Sequence, residues 1–248
     1  MSTQDDKNFP FVSIVTPTYN RRRFIPYLIQ MVEHQDYKKT RVEWIILDDG
    51  QDKVQDLFDE AKKRMPFIRY IALDEKLTIG AKRNRLNEEA KGSLIVAMDD
   101  DDYYPPCRVS SVVNAFKQKQ YANYELAGAS EIYMYYSDIK TIYKLGPYNP
   151  NHATNGTMAW KASYAKTHRY DETVTHSEER SFLDDYKHPM IQMDPFKVML
   201  VMSHSENTFD KKKLREQENP FIKKTDMKLK TFLKEKNEKD MREFFANA

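Results

Sequence analysis

Two groups of carboxylates fall where a folded chain could use them for chemistry. Ser93 to Pro106 reads SLIVAMDDDDYYPP, a short apolar run that ends in four consecutive acids, Asp99 to Asp102. Like charges held side by side at the lip of a core raise one another's pKa or recruit a cation, and a divalent metal with oxygen ligands is the usual remedy. The pattern also occurs earlier, where Val42 to Leu47 runs into Asp48, Asp49 and Gly50. Ligands of open α/β sheets gather outside the carboxyl ends of strands, so two acidic strand ends point to one shared crevice. Basic residues lie nearby in the chain: Arg21, Arg22 and Arg23 follow the first apolar run, and Lys82 and Arg83 open a helix. A cation in a first helical turn opposes the helix dipole and marks a ligand such as phosphate. A solvated acidic turn and solvated basic helix starts are the plain alternatives.

These groups need strands and helices to hold them. Phe11 to Thr16 is β-branched and apolar, and the spacing predicts a buried parallel strand ended by a turn at Pro17-Thr18-Tyr19-Asn20. Phe24, Leu28, Met31 and Val32 recur at helical spacing, with Pro26 in the first turn. After the strand Val42 to Leu47, Asp52 is expected to cap a helix reaching Met65, with Val54, Leu57, Phe58 and Ala61 inward. A third strand, Phe67 to Leu73, precedes a helix from Thr78 to about Gly92. Leu94 to Met98 is the fourth strand, and Pro105-Pro106 starts a helix that buries Val109, Val112, Val113 and Phe116.

The pattern then changes. Alternation in ASEIYMYYS, within Tyr124 to Leu145, predicts antiparallel strands. GPYNPNHATNG, Gly146 to Gly156, reads as a loop, Thr157 to Tyr164 as a strand running into a short helix, and His176 to Arg180 as the start of another helix. Ile191 to Met202 holds further strand material. From Lys211 to Ala248 there are 12 Lys plus Arg against 7 Asp plus Glu, with sparse apolar positions such as Leu229, Phe232, Leu233, Phe244 and Phe245. This predicts a basic amphipathic tail helix packed on the body or on a partner, a homodimer contact included, rather than a core element. The expected division is a polar lead, 1–10, a domain over 11–210 with halves 11–108 and 109–210, and the tail, 211–248.

Composition sets the bounds. At 248 residues the chain can bury one sizeable α/β core, and a net charge of +2 with 31% charged residues gives no overall bias toward nucleic acid. The lone cysteine, Cys107, allows no internal disulfide and suits a reducing compartment. No segment approaches the roughly 18 consecutive apolar residues of a membrane span, and the first ten residues lack a secretory signal's apolar centre, so a soluble, cytoplasmic protein is expected.

VSIVTPTYNR, ILDDG, GAKRN, MDDDDYYPP and SEERSFL together resemble the GT-A fold glycosyltransferases, most closely the large family-two group of inverting enzymes. The likeness runs from about Phe11 to Asn207 and is tightest over Val12 to Arg108. It implies a mixed, mainly parallel sheet flanked by helices, and a nucleotide-diphosphate sugar as donor, UDP-linked by expectation. By the resemblance, Pro17 and Tyr19 line the nucleobase pocket, with Arg21 close by; Asp48 accepts from the base with Asp49 beside it; Arg83, assisted by Lys82, reaches the nucleotide. The acids match the family's DXD motif as Asp99-Asp100-Asp101, with Asp102 extra. Asp101 would bind Mn²⁺ or Mg²⁺, Asp99 would approach the ribose, the donor sugar or the metal, and His204 would be a third metal ligand. SEERSFL aligns with the family's ED motif with Glu179 where Asp is usual. That makes Glu179 the general base for the acceptor hydroxyl, with Glu178 the alternative. His152, His176 and Trp160 are further candidates for the acceptor side. The acceptor is left open among glycan, polypeptide and small molecule. Two rivals remain: a non-catalytic nucleotide-sugar or glycan-binding module, and a sugar-nucleotide pyrophosphorylase, whose Gly-rich phosphate loop PTYNRRR lacks.

Overall fold

The computed structural model describes residues 9–174, 177–207, 211–216 and 219–248. Four parallel strands lead: β1 (Val12–Thr18), β2 (Val42–Asp48), β3 (Ile68–Ala72) and β4 (Leu94–Ala97). Helices α1 (Ile25–Glu33), α2 (Gln55–Lys62) and α3 (Ile79–Glu89) connect them in turn. α4 (Arg108–Phe116) follows, then the short strands β5 (Leu126–Gly128), β6 (Ile132–Tyr136), β7 (Thr141–Leu145) and β8 (Ala159–Lys161). α5 (Ala162–Ala165), α6 (Glu179–Phe182), β9 (Met190–Gln192), β10 (Leu200–Ser203), α7 (Lys212–Glu216), β11 (Ile222–Lys224) and α8 (Lys239–Asn247) complete the order. The seven-stranded sheet runs β3-β2-β1-β4-β8-β5-β9, and only β8 is antiparallel to its neighbours. A four-stranded sheet, β10-β6-β7-β11, stands beside it.

β1 runs two residues further than the sequence predicts. Its pairing with β4 stops at Val15 opposite Ala97, while pairing with β2 continues to Thr18 opposite Asp48. Val15 and Pro17 face the β4 side, so Pro17 lies past the last ladder bond there and its missing N–H costs nothing. α2 starts at Gln55, not at Asp52. Asp52 instead holds Arg22 Nε at 2.9 Å, and Asp48 Oδ2 accepts the Val54 N–H at 3.1 Å.

α3 is capped by the Thr78 side chain, which accepts from the Ala81 N–H at 3.2 Å. A Cβ on Gly80 would stand 2.2 Å from the carbonyl oxygen of Asp171, so only glycine lets α3 close on the segment leading to α6. Gly80→Ala is therefore expected to destabilise. The overpacking cost of about 1–3 kcal/mol exceeds the roughly 1 kcal/mol gained in helix propensity, and a urea midpoint measurement reads the difference.

The tail departs from expectation. Among the described residues of the tail only its end, α8, is a regular helix of more than two turns, and Phe232, Leu233, Met241 and Phe245 lie in the same buried cluster as Phe24 and Leu28. β11 extends the second sheet, with Ile222 opposite Leu145. α8 packs on α1, where Phe244 stacks on Tyr27 at 4.2 Å and meets Phe24 edge-on at 5.2 Å. The segment packs on the body, as expected for one of its two readings, but it also closes part of the core.

Candidate functional site

The carboxyl ends of β1, β2 and β4 lie side by side in register, which brings their acidic and basic termini into one crevice. Asp48 is fully buried and spent on structure. Its Oδ1 accepts the Gly50 N–H at 2.8 Å, and its Oδ2 accepts both the Val54 N–H and the Tyr70 hydroxyl. It therefore shapes the turn behind the crevice instead of facing into it. Asp49, also buried, bonds Lys82 Nζ at 2.7 Å and the Leu77 N–H at 2.7 Å. Lys82 lies 5.6 Å from the centre of the Tyr19 ring, and Lys76 lies 4.1 Å from it. Tyr19 is half-buried and Pro17, two residues before it, is buried. Tyr19, Asp49 and Lys82 thus form one group.

Arg83 is the centre of a second group. Its guanidinium bonds Asp99 at 2.9 and 3.3 Å and Glu178 at 2.7 Å. With the Asn155 amide turned to satisfy both neighbours, its oxygen accepts from Arg83 Nη1 at 2.6 Å and its nitrogen donates to the Tyr170 hydroxyl at 2.7 Å. Burial works against the Arg83 charge, but Asp99 and Glu178 outweigh it and hold its pKa well above the ordinary value. Glu179, one residue on, opens α6. Burial first, and then the charge of Glu178, push its carboxyl up to about 7.

The third group surrounds Asp101. His204, its side chain 1% exposed, puts Nε2 3.1 Å from Asp101 Oδ2. Asn207 Nδ2 lies 2.9 Å from the same Nε2 and 3.3 Å from Asp101 Oδ2. Nε2 therefore faces an acceptor and a donor at once, and no single tautomer satisfies both. Arg21 Nη2 pins the loop by donating to the Glu206 carbonyl at 2.6 Å, while its buried Nε, 3.7 Å from Asp101, has no hydrogen-bond partner. Arg23 bonds the Glu206 carboxylate at 2.6 Å.

Burial would raise the Asp101 carboxyl, but His204, Lys211 and Arg21 hold it below the ordinary range. Asp100 is pushed up to about 8 by burial and then by Asp101. Asp102 is pushed up to about 7 chiefly by burial, and its Oδ1 accepts the Met202 N–H at 2.7 Å, which ties the acidic turn to β10.

Among the described residues no three His, Cys, Asp or Glu side chains form a metal cage. Asp101 and His204 are brought together, and Asp99 is not: it turns to Arg83. A carboxylate and an imidazole suit Mn²⁺, and phosphate oxygens with water commonly fill the remaining positions of such ions. A cation on Nε2 would also remove its conflicting contacts, at the cost of a 3.2 Å contact between Nδ1 and the Glu206 N–H once the ring proton moves there. The donor set therefore fits a metal shared with a ligand.

Of the acceptor-side candidates, Trp160 is core: it is 1% exposed, bonds Asn87 at 3.1 Å and packs on Phe182. His152 is half-buried, and His176 lies outside the described residues. Asn155, Tyr170 and Asn207 were missed by sequence reasoning. Asparagines in turn-rich stretches read as turn formers, so only the proximity of Asn207 to His204 offered a signal.

A profile of glycosyl transferase family 2 matches residues 13–157. The putative colanic acid biosynthesis glycosyl transferase WcaA of Escherichia coli is 37% identical over 114 residues, 46% of this chain and 40% of that protein. The putative teichuronic acid biosynthesis glycosyltransferase TuaG of Bacillus subtilis is 32% identical over 94 residues, 38% of this chain and 36% of that one. The chain thus matches well under half the length of these relatives. Among solved structures, the mannosyltransferase PcManGT of Pyrobaculum calidifontis, in complex with GDP-Man and Mn2+, has a TM-score of 0.61 at 14% identity, over 80% of this chain and 58% of that one. TarS of S. aureus in complex with UDP-GlcNAc has a TM-score of 0.60 at 15% identity, over 79% of this chain and 59% of that one. These likenesses give the fold, a mixed and mainly parallel GT-A sheet with flanking helices. With more than half of its length in the family profile and its motif-bearing strand ends gathered in one crevice, the chain belongs to glycosyl transferase family 2.

Proposed function

We propose that this chain transfers a sugar from a UDP-sugar to an acceptor hydroxyl in a metal-assisted single displacement with inversion. The position of Arg83 carries the reading: one buried guanidinium touches Asp99 at the acidic strand end and Glu178, the immediate neighbour of Glu179. Donor-side and acceptor-side acids are thereby held by one cation.

Tyr19 stacks on the base, and Asp49, rather than Asp48, supplies the acceptor for the uracil imide N–H. Arg21, Lys82 and Arg83 meet the diphosphate, for which they exchange their present carboxylate partners. Asp99 approaches the ribose or donor sugar when Arg83 turns, and Asp100 lines the floor. Asp101 and His204 would hold Mn²⁺ or Mg²⁺, which when bound stabilises the charge of the leaving nucleotide as a Lewis acid. Glu179 takes the proton from the acceptor hydroxyl as its oxygen attacks the anomeric carbon, the glycosidic bond to phosphate breaks, and inversion follows from attack on the opposite face. Residues 11–108 form the donor half in this reading and 109–210 the acceptor half. The tail, 211–248, supports His204 through Phe24, whose ring lies 4.6 Å from the imidazole. Among the described residues no helix is long and apolar enough to cross a membrane, and we assign the activity to the cytoplasm, where nucleotide sugars and a reduced Cys107 are expected.

The test is a thermal-shift panel of UDP, GDP, CDP and dTDP, each with Mn²⁺, Mg²⁺ or chelator. UDP with Mn²⁺ is expected to raise the melting temperature most, and UDP-sugars that do so are then assayed for hydrolysis. Stabilisation by GDP instead would overturn the uracil assignment, and no response to any nucleotide would overturn the reading.

A further inference from the structure

Four aromatic rings from distant parts of the chain form a continuous row that starts beside Glu179. Tyr186 packs on His152 with ring centres 5.0 Å apart, His152 on Tyr148 at 5.1 Å, and Tyr148 on Phe221 at 5.3 Å. Tyr186, His152 and Tyr148 are half-buried, and Phe221 at the far end is 46% exposed. Their placement is fixed by polar contacts. The Gln192 side chain donates to the Pro150 and His152 carbonyls at 2.5 and 3.2 Å, Asn151 Nδ2 donates to the Tyr186 carbonyl at 3.1 Å, and the Gly146 N–H donates to the Phe221 carbonyl at 2.8 Å.

The near end of the row is strained. Asp184, Asp185 and Tyr186 have φ of 46°, 55° and 61°, three consecutive left-handed residues directly after the helix that carries Glu179. Each costs roughly 1–2 kcal/mol for a non-glycine residue, and such outliers collect where geometry serves a ligand. The interaction of Tyr186 with Glu179 connects the row to the reaction centre. Burial and then the charge of Glu179 raise the Tyr186 hydroxyl's pKa, and His152 Nδ1 is buried without a hydrogen-bond partner.

We propose that this row is the acceptor-binding wall and that the acceptor is a glycan chain. Rings that are half-buried yet accessible offer apolar surface to the C–H faces of successive pyranoses. A small alcohol would have no use for the distant Phe221. The inference rests on the transferase reading and specifies its acceptor.

The test uses cellopentaose, maltopentaose and chitopentaose as probes in saturation-transfer NMR and calorimetric titration, with Mn²⁺-UDP binding measured on the same samples. At least one pentasaccharide is expected to bind wild type, and Phe221→Ala and Tyr148→Leu each to weaken it about threefold to tenfold with UDP affinity unchanged. Phe196→Ala, which trims a ring 37% exposed elsewhere on the surface, should change neither. Failure of all three probes to bind wild type overturns the proposal, as does undiminished binding by Phe221→Ala, in both cases with UDP binding intact. Pentasaccharide binding that is lost in Phe221→Ala, without any UDP binding, would support the wall while removing the transferase reading.

Discussion

Asp101→Asn is expected to lower sugar transfer about a hundred- to a thousandfold, the several kcal/mol that a bound metal contributes to charge stabilisation. The substitution keeps the shape of the side chain and its contact with Asn207, so the fold should survive it. What it removes is the anionic oxygen 3.1 Å from His204 Nε2. Without that charge, Mn²⁺ should no longer improve UDP affinity, and titrations of UDP with and without Mn²⁺ should coincide. His204→Gln should act in the same direction and less strongly, because a neutral ligand contributes less than a carboxylate. Asp102→Asn provides the contrast: its Oδ1 accepts the Met202 N–H, a bond that an amide oxygen can keep, so its Mn²⁺ response should match that of wild type. Equal UDP affinity with and without Mn²⁺ in the unaltered protein would remove the metal assignment.

Glu179→Gln is expected to reduce transfer by about 10²–10⁴-fold, the usual contribution of a general base, with UDP affinity preserved. The pH profile identifies the group. Burial and the adjacent Glu178 keep Glu179 protonated below about 7, and a base must be ionised to accept a proton. kcat/KM should therefore fall tenfold per pH unit below that value and level off above it, and the acidic limb should disappear from the residual activity of Glu179→Gln. The stability sign is opposite. A carboxyl whose folded pKa is raised favours the folded state most below the ordinary carboxylate value, and that contribution is lost as pH rises through about 7. Glu179→Gln should consequently be more stable than wild type at pH 8, by roughly 1 kcal/mol after allowance for partial solvation. A variant that loses activity and also loses stability at pH 8 would mean that Glu179 is structural.

Much of this was legible from the chain. The β-branched runs of β1, β2 and β4 differ so sharply from their polar surroundings that their existence and order, and the acids and bases placed near their ends, follow from local pattern, although β1 runs on through Pro17 to Thr18. The allocation of those acids does not. A carboxylate at a strand end has the same sequence appearance whether it meets a ligand or caps the next helix, and the path from Gly50 to Val54 assigns Asp48 to the latter. Asp99 is likewise indistinguishable from its three neighbours until Arg83 claims it. Asn155 was hidden in a loop whose asparagines read as turn residues, although one of them completes the shell of Arg83. The tail misled for a different reason. Its apolar residues are sparse and surrounded by lysines, which reads as one amphipathic helix packed outside the core, yet short turns bring Phe232 and Leu233, and α8 brings Phe245, into the core cluster.

The partners that build the site are far apart along the chain. Arg83 and Glu178 are separated by 95 residues, Asp101 and His204 by 103, and Arg21 and the Glu206 carbonyl by 185. Each contact closes a long loop whose entropy must be met before the contact gives anything back. A refolding chain should therefore complete β1 to β4 and their helices while the crevice is still open. Capacity to bind a donor would be the last property it acquires and, because the same contacts are the least locally supported, the first it loses.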